Sequence, residues 1–214
     1  MGRLEREITD REWDMFQRTQ NIGGRASCQD DRETFYRMRE SQWRTLPLEV
    51  LESYDRDLET AQTQGRNLVA EKYGYMMESY DPEGFAQIQS QLPPKTQEEL
   101  SLVEQLVSDH LNWYEELREE IPHILAGGRH LRTREDCMGD VSIETYLRGE
   151  LKTYSLETLR AYASFAKECK AQGRNLVREN YEEMARAYGY RDLRQAEEGS
   201  ADRLALMEEG LSGD

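Results

Sequence analysis

Apolar and aromatic residues recur every three or four positions through most of the chain, with polar residues between them. This spacing predicts amphipathic α-helices, because an α-helix turns once every 3.6 residues. The clearest example begins at Pro47, and a longer one runs from Thr96 to about Glu120. Their apolar faces are Leu48, Leu51, Tyr54, Leu58 and Ala61 in the first, and Leu100, Val103, Val107, Leu111, Tyr114 and Leu117 in the second. No segment shows sustained two-residue alternation with β-branched residues, so the pattern predicts an all-α protein without strands.

Capping and helix-breaking residues predict where the first helix begins and ends. Thr9-Asp10-Arg11-Glu12 has the sequence of a capping box, so we expect this helix to begin at Thr9 and to run to about Asn21. Gly23-Gly24 then ends it, because glycine readily adopts the left-handed conformation that stops helices. The residues expected to face inward are Trp13, Phe16 and Ile22.

A six-residue motif, Gln-Gly-Arg-Asn-Leu-Val, occurs at residues 64–69 and again at 172–177. An ungapped comparison of residues 45–79 with residues 153–187 gives 14 identities in 35 positions. Self-similarity at a fixed offset is the signature of a duplicated structural unit. We therefore predict a single helical bundle built from two tandem repeats that are related by a pseudo-two-fold axis.

The predicted bundle is one domain over residues 1–195, because each repeat alone would expose a large apolar face. Repeat one covers about residues 9–80, and repeat two covers about residues 96–190. A linker with a short helix fills residues 81–95 between them. An acidic tail with one weak helix is expected over residues 196–214.

Composition and charge limit the classes of partner. The chain has 214 residues, a net charge of −15 and 33% charged residues. This charge repels phosphate backbones, so neither nucleic acid nor an anionic membrane is an expected partner. Three cysteines without a CxxC pair predict neither a disulfide framework nor a zinc site, and no other metal or cofactor is predicted. Without a signal peptide or a long apolar run, we expect a soluble, cytoplasmic protein.

The loop after the first helix contains the first group of candidate site residues. Arg25, Gln29 and Asp30 are candidates for ligand binding, and Cys28 and Asp31 are candidates for catalysis. A thiol beside a helix N-terminus and an arginine is a conceivable nucleophile, because both favour its thiolate form. The alternative is that the aspartates only begin the next helix.

The loop at the corresponding position of repeat two differs in almost every residue. Gly127-Gly128-Arg129 stands where repeat one has Gly23-Gly24-Arg25, and His130 follows it. His130 is the best-placed general acid or base, since its ordinary pKa lies near neutrality. Arg129 is a candidate for ligand binding. The alternative is a surface loop with local ion pairs.

The two Gly-Arg-Asn motifs allow two interpretations. As turns, their glycines end one helix, Asn67 and Asn175 cap the next, and Arg66 and Arg174 pair with carboxylates. As a site, the two arginines converge on an anionic ligand, which a guanidinium binds through two parallel hydrogen bonds, and Asn67 and Asn175 are further ligand-binding candidates. Elsewhere, His110 and Cys169 are predicted core residues, and His123 is predicted to be solvated.

Several segments together resemble a bacterial family described as a domain of unknown function. They are Asn21–Asp31, Tyr146–Leu151 and both Gly-Arg-Asn-Leu motifs, and the resemblance covers roughly residues 8–195. It implies a bacterial origin and an association with nucleotidyltransferase-like proteins. It implies no reaction and no catalytic residues.

Two hypotheses for the function follow. In the first, the two Gly-Gly-Arg loops meet at the pseudo-axis and bind a small, anionic molecule, either as a binding protein or as an enzyme for hydrolysis or group transfer. In the second, the acidic helices dock a partner protein, such as a nucleotidyltransferase-like one, and the loops are structural.

Overall fold

A computed structural model describes residues 2–20 and 24–211, with side chains described as far as residue 206. The described residues form α-helices joined by turns and no named β-strand, which confirms the predicted all-α class. The helices are α1 (Arg3–Gln17), α2 (Arg32–Trp43), α3 (Leu48–Thr63), α4 (Leu68–Tyr80), α5 (Pro82–Ile88), α6 (Gln97–Leu117), α7 (Pro122–Ala126), α8 (Ile143–Leu151), α9 (Leu156–Ala171), α10 (Leu176–Ala187) and α11 (Leu193–Leu211). Single 3-10 turns lie at Ser27–Gln29, Gln89–Gln91 and Thr133–Glu135.

The helices pack so that the two halves of the chain interlock. Helix α1 contacts α2, α3 and α4, and helix α6 contacts α8, α9 and α10 in the same way. Helices α3 and α9 contact each other between these two groups. The fourth helix of each group packs on the other half, because α4 lies against α8 and α10 lies against α2.

The apolar faces of these helices form one continuous core. Among its fully buried members are Ile8, Trp43, Leu58, Leu106, Leu159 and Leu176, which come from six different helices. Removing a leucine or isoleucine side chain from water contributes about 1.5–3 kcal/mol. Helical packing therefore rests on the predicted apolar faces, except that Leu48, at the first position of α3, is 62% exposed. Cys169 is buried among these faces as predicted.

The two Gly-Arg-Asn motifs have the same local structure. Gly65 and Gly173 follow α3 and α9 with φ angles of +68° and +67°, a conformation that glycine adopts without strain. The Asn67 side-chain oxygen accepts from Ala70 N at the start of α4. Asn175 caps α10 in the same manner. These contacts agree with the interpretation of the motifs as turns.

Further contacts occur in equivalent pairs. The Asn67 amide donates to the Met15 carbonyl of α1 at 2.8 Å, and the Asn175 amide donates to the Trp113 carbonyl of α6 at 3.0 Å. In the same register, the Tyr54 hydroxyl bonds to Glu12, as the Tyr162 hydroxyl bonds to His110. These pairs support the duplication and the single-domain assignment, which stay predictions.

The predicted start of the first helix is wrong. Helix α1 begins at Arg3, six residues before the proposed cap. Thr9 lies inside the helix, where its hydroxyl donates to the Glu5 carbonyl at 2.8 Å. Glu12 is turned into the core rather than back to the helix end, because Arg39 offers it a stronger partner than a backbone N–H does. Ile22 and Gly23, which the prediction also used, lie outside the described residues.

The C-terminal segment also differs from the expectation. Residues 193–211 form one helix, so the boundary predicted at residue 195 falls inside α11. Leu193 and Ala196 are buried, and the Glu197 carboxylate accepts from the backbone N–H groups of His123 and Ile124 at the start of α7. The weak helix predicted near residues 202–209 is part of this longer helix.

We predict that Asn67→Ala and Asn175→Ala each lower the free energy of unfolding by about 1–2 kcal/mol, since each removes a helix cap and a tertiary hydrogen bond. Chemical denaturation measures the effect, and Asn112→Ala, on the exposed face of α6, serves as the control. A cost at one site without a comparable cost at the other would contradict the equivalence of the two turns.

His110 generates a prediction about pH. Its Nε2 lies 2.8 Å from the Tyr162 hydroxyl, and burial lowers the pKa of His110 to about 4. As the pH decreases, His110 therefore takes up a proton in the unfolded chain before it does so in the folded protein. The free energy of unfolding consequently falls by roughly 2–3 kcal/mol between about pH 6.5 and pH 4. His110→Gln should lose this component of the pH dependence in denaturation measured across the same window. An unchanged pH dependence would contradict it.

Candidate functional site

The centre of the bundle contains a guanidinium enclosed by two carboxylates. Arg39 Nε of α2 donates to Glu12 Oε2 at 2.8 Å, and Arg39 Nη1 donates to Glu150 Oε1 at 3.1 Å. Glu12 lies on α1 and Glu150 on α8, so one side chain joins both halves of the chain. Glu12 also accepts from Trp43 Nε1 at 3.1 Å and from the Tyr54 hydroxyl at 2.9 Å. Such pairing is what makes buried charges tolerable.

Glu150 extends this network from the core toward the surface. Its carboxylate accepts from Lys72 Nζ at 2.6 Å, from Gln42 Nε2 at 3.0 Å and from the Tyr154 hydroxyl at 3.1 Å. Burial acts to raise the pKa of Glu150, but Arg39 and Lys72 outweigh burial and hold this pKa well below its ordinary value. Glu150 is therefore ionised at neutral pH, with Lys72 of α4 as its outer partner.

A glycine allows α4 and α8 to approach closely enough for this contact. A Cβ atom at Gly149 of α8 would lie 2.9 Å from the Lys72 carbonyl oxygen and 2.6 Å from Met76 Cγ. The first of these atoms is backbone and cannot move aside. Any other residue at position 149 would therefore push α8 away from α4.

Tyr146 of α8 receives two cations at the surface end of the network. Lys72 Nζ lies 4.9 Å from the centroid of its ring, and the Arg129 guanidinium carbon lies 4.2 Å from it. Arg129 also donates from Nη2 to the Tyr146 hydroxyl at 3.2 Å and from Nη1 to the Val141 carbonyl at 3.1 Å. These cation–π contacts and hydrogen bonds fix Arg129 in one position.

Tyr73 of α4 adds a second tyrosine to this surface group. Its ring packs edge-on against Tyr146, with 6.3 Å between the ring centroids. Burial and Tyr146 raise the pKa of Tyr73 well above its ordinary value, while Cys28 raises it further and Arg129 lowers it. Cys28 of the first loop and Arg129 of the second therefore both act electrostatically on the Tyr73 hydroxyl. We call Tyr73, Arg129 and Tyr146 the loop cluster.

Hydrogen-bond donors outnumber acceptors in the loop cluster. Arg129 has only N–H donors, and Tyr73 and Tyr146 each carry one hydroxyl proton. Within the described part of the chain, these hydroxyls take part in one hydrogen bond, which Tyr146 accepts from Arg129. Neither hydroxyl proton has a protein acceptor among the described residues.

Arg129 also lacks a counter-ion among the described residues. Its neighbours in sequence and space are paired, since Arg132 contacts Glu115 at 3.2 Å and Arg148 contacts Glu104 at 2.7 Å. Arg129 forms no ion pair within 4.0 Å in this part of the structure. An unpaired guanidinium is conspicuous in a chain whose net charge is −15. The loop cluster therefore offers positive charge and free donors.

His130, the proposed acid or base, is held by Asp136. Its Nε2 lies 3.1 Å from Asp136 Oδ1, and its Nδ1 lies 3.5 Å from Asp140 Oδ1. Asp136 also accepts from the Ser79 and Thr145 hydroxyls. Burial acts to raise the pKa of Asp136, but these and other hydrogen bonds outweigh it and hold this pKa well below its ordinary value. The arrangement fastens the second loop to α4 and α8.

The first loop is closed by its own side chains. The buried Gln29 amide donates to the Phe16 carbonyl at 2.8 Å, which satisfies the end of α1. Arg25 pairs with Asp30, at 2.9 Å from Nε to Oδ1, and Asp31 caps α2. A depression of about 390 Å³ lies beside them and is lined by Gln17, Thr19, Gln20, Gly24, Arg25 and Gln29.

The arginines of the Gly-Arg-Asn motifs are bound within their own turns. Arg66 donates to both oxygens of Glu71 at 2.7 Å, and Arg174 donates to both oxygens of Glu179 at 2.8 and 2.7 Å. Bidentate pairs of this kind occupy the binding edge of a guanidinium. Neither arginine contacts the loop cluster, and their role as ligand-binding residues stays a prediction.

The structure thus brings together some of the predicted site residues and separates others. Cys28 and Arg129 both influence the pKa of Tyr73, and the meeting of the two loops stays a prediction. No hydrogen bond or ion pair between described residues joins Cys28, Asp31 and His130 to one another. Sequence reasoning missed the polar residues on apolar helix faces, namely Glu12, Arg39, Lys72 and Glu150. The sequence did contain a signal for these residues, because each is a charged residue at a position that faces the core.

Two further properties of the described residues concern metal binding and membrane spanning. In residues 2–20 and 24–211, no group of three His, Cys, Asp or Glu side chains could hold a metal ion. None of the helices described there has the length and apolar character needed to cross a lipid bilayer.

The fold and the loop cluster define an all-α protein with two interlocked groups of helices and a buried ion network that leads to the surface. The chain belongs to the family described as "Protein of unknown function (DUF4125)", which matches residues 2–198. This confirms the resemblance to such a family that the sequence indicated. Comparisons with curated proteins and with solved structures each gave no match.

We predict that Arg39→Met lowers the free energy of unfolding by about 3–5 kcal/mol, because it leaves two buried carboxylates without their shared partner. Arg56→Met is the matched control. Arg56 pairs with Glu157 at 2.6 Å, but both side chains are largely exposed, so we expect a cost of at most about 1 kcal/mol. Equal costs in chemical denaturation would contradict the importance of the buried network.

Proposed function

We propose that this protein binds a small oxyanion at the loop cluster, where the second loop meets helices α4 and α8. The observation that carries the proposal is Arg129, a guanidinium held in place without a carboxylate partner in the described structure. A carboxylate or phosphate oxygen suits it, because arginine binds such groups through parallel hydrogen bonds.

The surrounding donors favour a ligand that only accepts hydrogen bonds. The hydroxyl protons of Tyr73 and Tyr146 have no acceptor among the described residues, and Tyr146 lies beside Arg129. A neutral or cationic ligand would leave the guanidinium without a counter-ion, at a cost in electrostatic energy. An oxyanion satisfies the charge and the donors together.

Binding is proposed rather than a particular reaction. Cys28 is exposed, but no hydrogen bond among the described residues joins its thiol to a base that could activate it. Hydrolysis and group transfer therefore stay hypotheses. We also propose a cytoplasmic location, which the exposed free thiols of Cys28 and Cys137 favour, since reducing compartments keep thiols free.

A protein-interaction module is the second candidate function. Its support is a set of exposed large apolar side chains, which are Met38, Leu48, Met138, Tyr188 and Leu206. They come from different elements of the fold, and scattered surface apolar residues are common in monomers. The oxyanion site is therefore the function that the geometry supports better.

Arg129→Ala tests the proposal. Acetate, sulfate and inorganic phosphate are titrated into the protein, and chemical shifts of the backbone amides of residues 128–148 report binding. Because the variant removes the unpaired guanidinium, we expect at least roughly tenfold weaker binding of the anions that the native protein binds. Arg134→Ala is the control, since Arg134 is 83% exposed and its nearest carboxylate lies 4.0 Å away.

The control also accounts for general salt effects, because sulfate and phosphate stabilise most proteins without occupying a site. Saturable binding in the native protein and the Arg134 variant, but not in the Arg129 variant, supports the proposal. If no anion binds, or if both variants bind alike, the site is not where we place it.

A further inference from the structure

The buried network beneath the loop cluster is electrically balanced. Glu12 and Glu150 supply two negative charges, and Arg39 and Lys72 supply two positive ones. Arg129 then adds a single positive charge at the surface that no described carboxylate balances. The two negative and two positive charges of the buried network are held in place, because these carboxylates and cations contact one another directly.

Asp136 is a further carboxylate of the second loop with a fixed position. Its oxygens accept from the Ser79 and Thr145 hydroxyls, the Ser142 backbone N–H and His130. It makes no ion pair with Arg129 or Lys72 among the described contacts. The charge at the loop cluster is therefore set by Arg129, by Lys72 and by Glu150, which is the ion-pair partner of Lys72.

We infer that Glu150, acting through Lys72, sets the charge of the oxyanion that the loop cluster accepts, and that the site prefers a monoanion such as a carboxylate to a dianion. This inference rests on the proposed function. Glu150 is a positioning residue here, since it touches Lys72 and no part of the ligand site.

The contacts of Lys72 explain how Glu150 can have this effect. Its ammonium lies 2.6 Å from Glu150 Oε2 and 4.9 Å from the Tyr146 ring centroid, so it is shared between the core and the site. While Glu150 is ionised, it cancels the charge of Lys72, and a ligand meets one net positive charge. Without the charge of Glu150, Arg39 still has Glu12, whereas Lys72 has no counter-ion and the ligand meets two.

The test measures the affinities for acetate and sulfate, whose charges are constant near neutral pH, at fixed ionic strength. The native protein should bind acetate more tightly than sulfate. In Glu150→Gln, the ratio of sulfate affinity to acetate affinity should rise by roughly tenfold or more, because an added charge at a few ångströms acts on a dianion twice as strongly. In Lys72→Met, both anions should bind more weakly.

Two further variants complete the design. Lys72→Met combined with Glu150→Gln removes one charge of each sign, so the affinity ratio should return to within about threefold of the native value. Lys170→Met is the matched control, because Lys170 contacts the buried Asp109 at the same 2.6 Å but in another part of the bundle. It should leave the ratio unchanged.

The inference is overturned if the native protein prefers sulfate, or if Glu150→Gln leaves the ratio unchanged. The proposed function survives either result, as long as binding still depends on Arg129. If Glu150→Gln does not fold, Lys72→Met decides, and unaltered affinity for both anions overturns the inference. Failure of the native protein to bind any anion removes the proposed function itself.

Discussion

Arg39 is the side chain on which the rest of this structure depends. It is buried between Glu12 of α1 and Glu150 of α8, which lie in different halves of the chain. Taking three such charges from water costs several kcal/mol for each ion, and only good pairing geometry offsets that cost. An α8 shifted by one residue would lose its pairing with Arg39 and Lys72. The network therefore selects one way of joining the halves, in addition to any stability it contributes.

The same network supports the surface site. Lys72 links Glu150 to Tyr146, and Gly149 allows the two helices that carry them to touch. Tyr146 then holds Arg129 at the edge of the second loop, which Asp136 fastens to α4 and α8. Arg129 lies on a loop, but contacts that lead back to buried, paired groups hold it in position. A binding group needs such support in order to keep its orientation.

The interlocked packing gives the two halves opposite charges at equivalent positions. Arg11 of α1 contacts Asp55 at 3.2 Å and Glu59 at 2.7 Å on α3. In the register set by the two Gly-Arg-Asn turns, Asp109 of α6 takes the place of Arg11 and contacts Lys170 of α9, which takes the place of Gln62. If α1 and α6 exchanged places, Asp109 would face Asp55 and Glu59, and Arg11 would face Lys170. Each of these two helices therefore fits its own group of helices better than the other group. Like-charge contacts of this kind discriminate between alternative pairings.

The sequence predicts the helices and their turns well, because apolar spacing and caps such as Asn67 are local signals. It fails at the start of α1, where Thr9 and Glu12 fit a local capping box but Glu12 is used by the distant Arg39. The loop cluster is predictable only in part for the same reason. Arg129 stands out in its loop, whereas Tyr73 and Tyr146 come together only through the contact of α4 with α8. Contacts between residues far apart in the chain leave no local pattern.

The central claim is that one buried guanidinium joins the two halves by serving two carboxylates at once. A double-mutant cycle with Glu12→Gln, Glu150→Gln and the combined variant tests it most directly by chemical denaturation. Each single variant leaves Arg39 with one counter-ion, whereas the combined variant leaves it buried with none. The account predicts that the combined loss exceeds the sum of the single losses by at least about 1 kcal/mol. Additive losses, within about 0.5 kcal/mol, would contradict it.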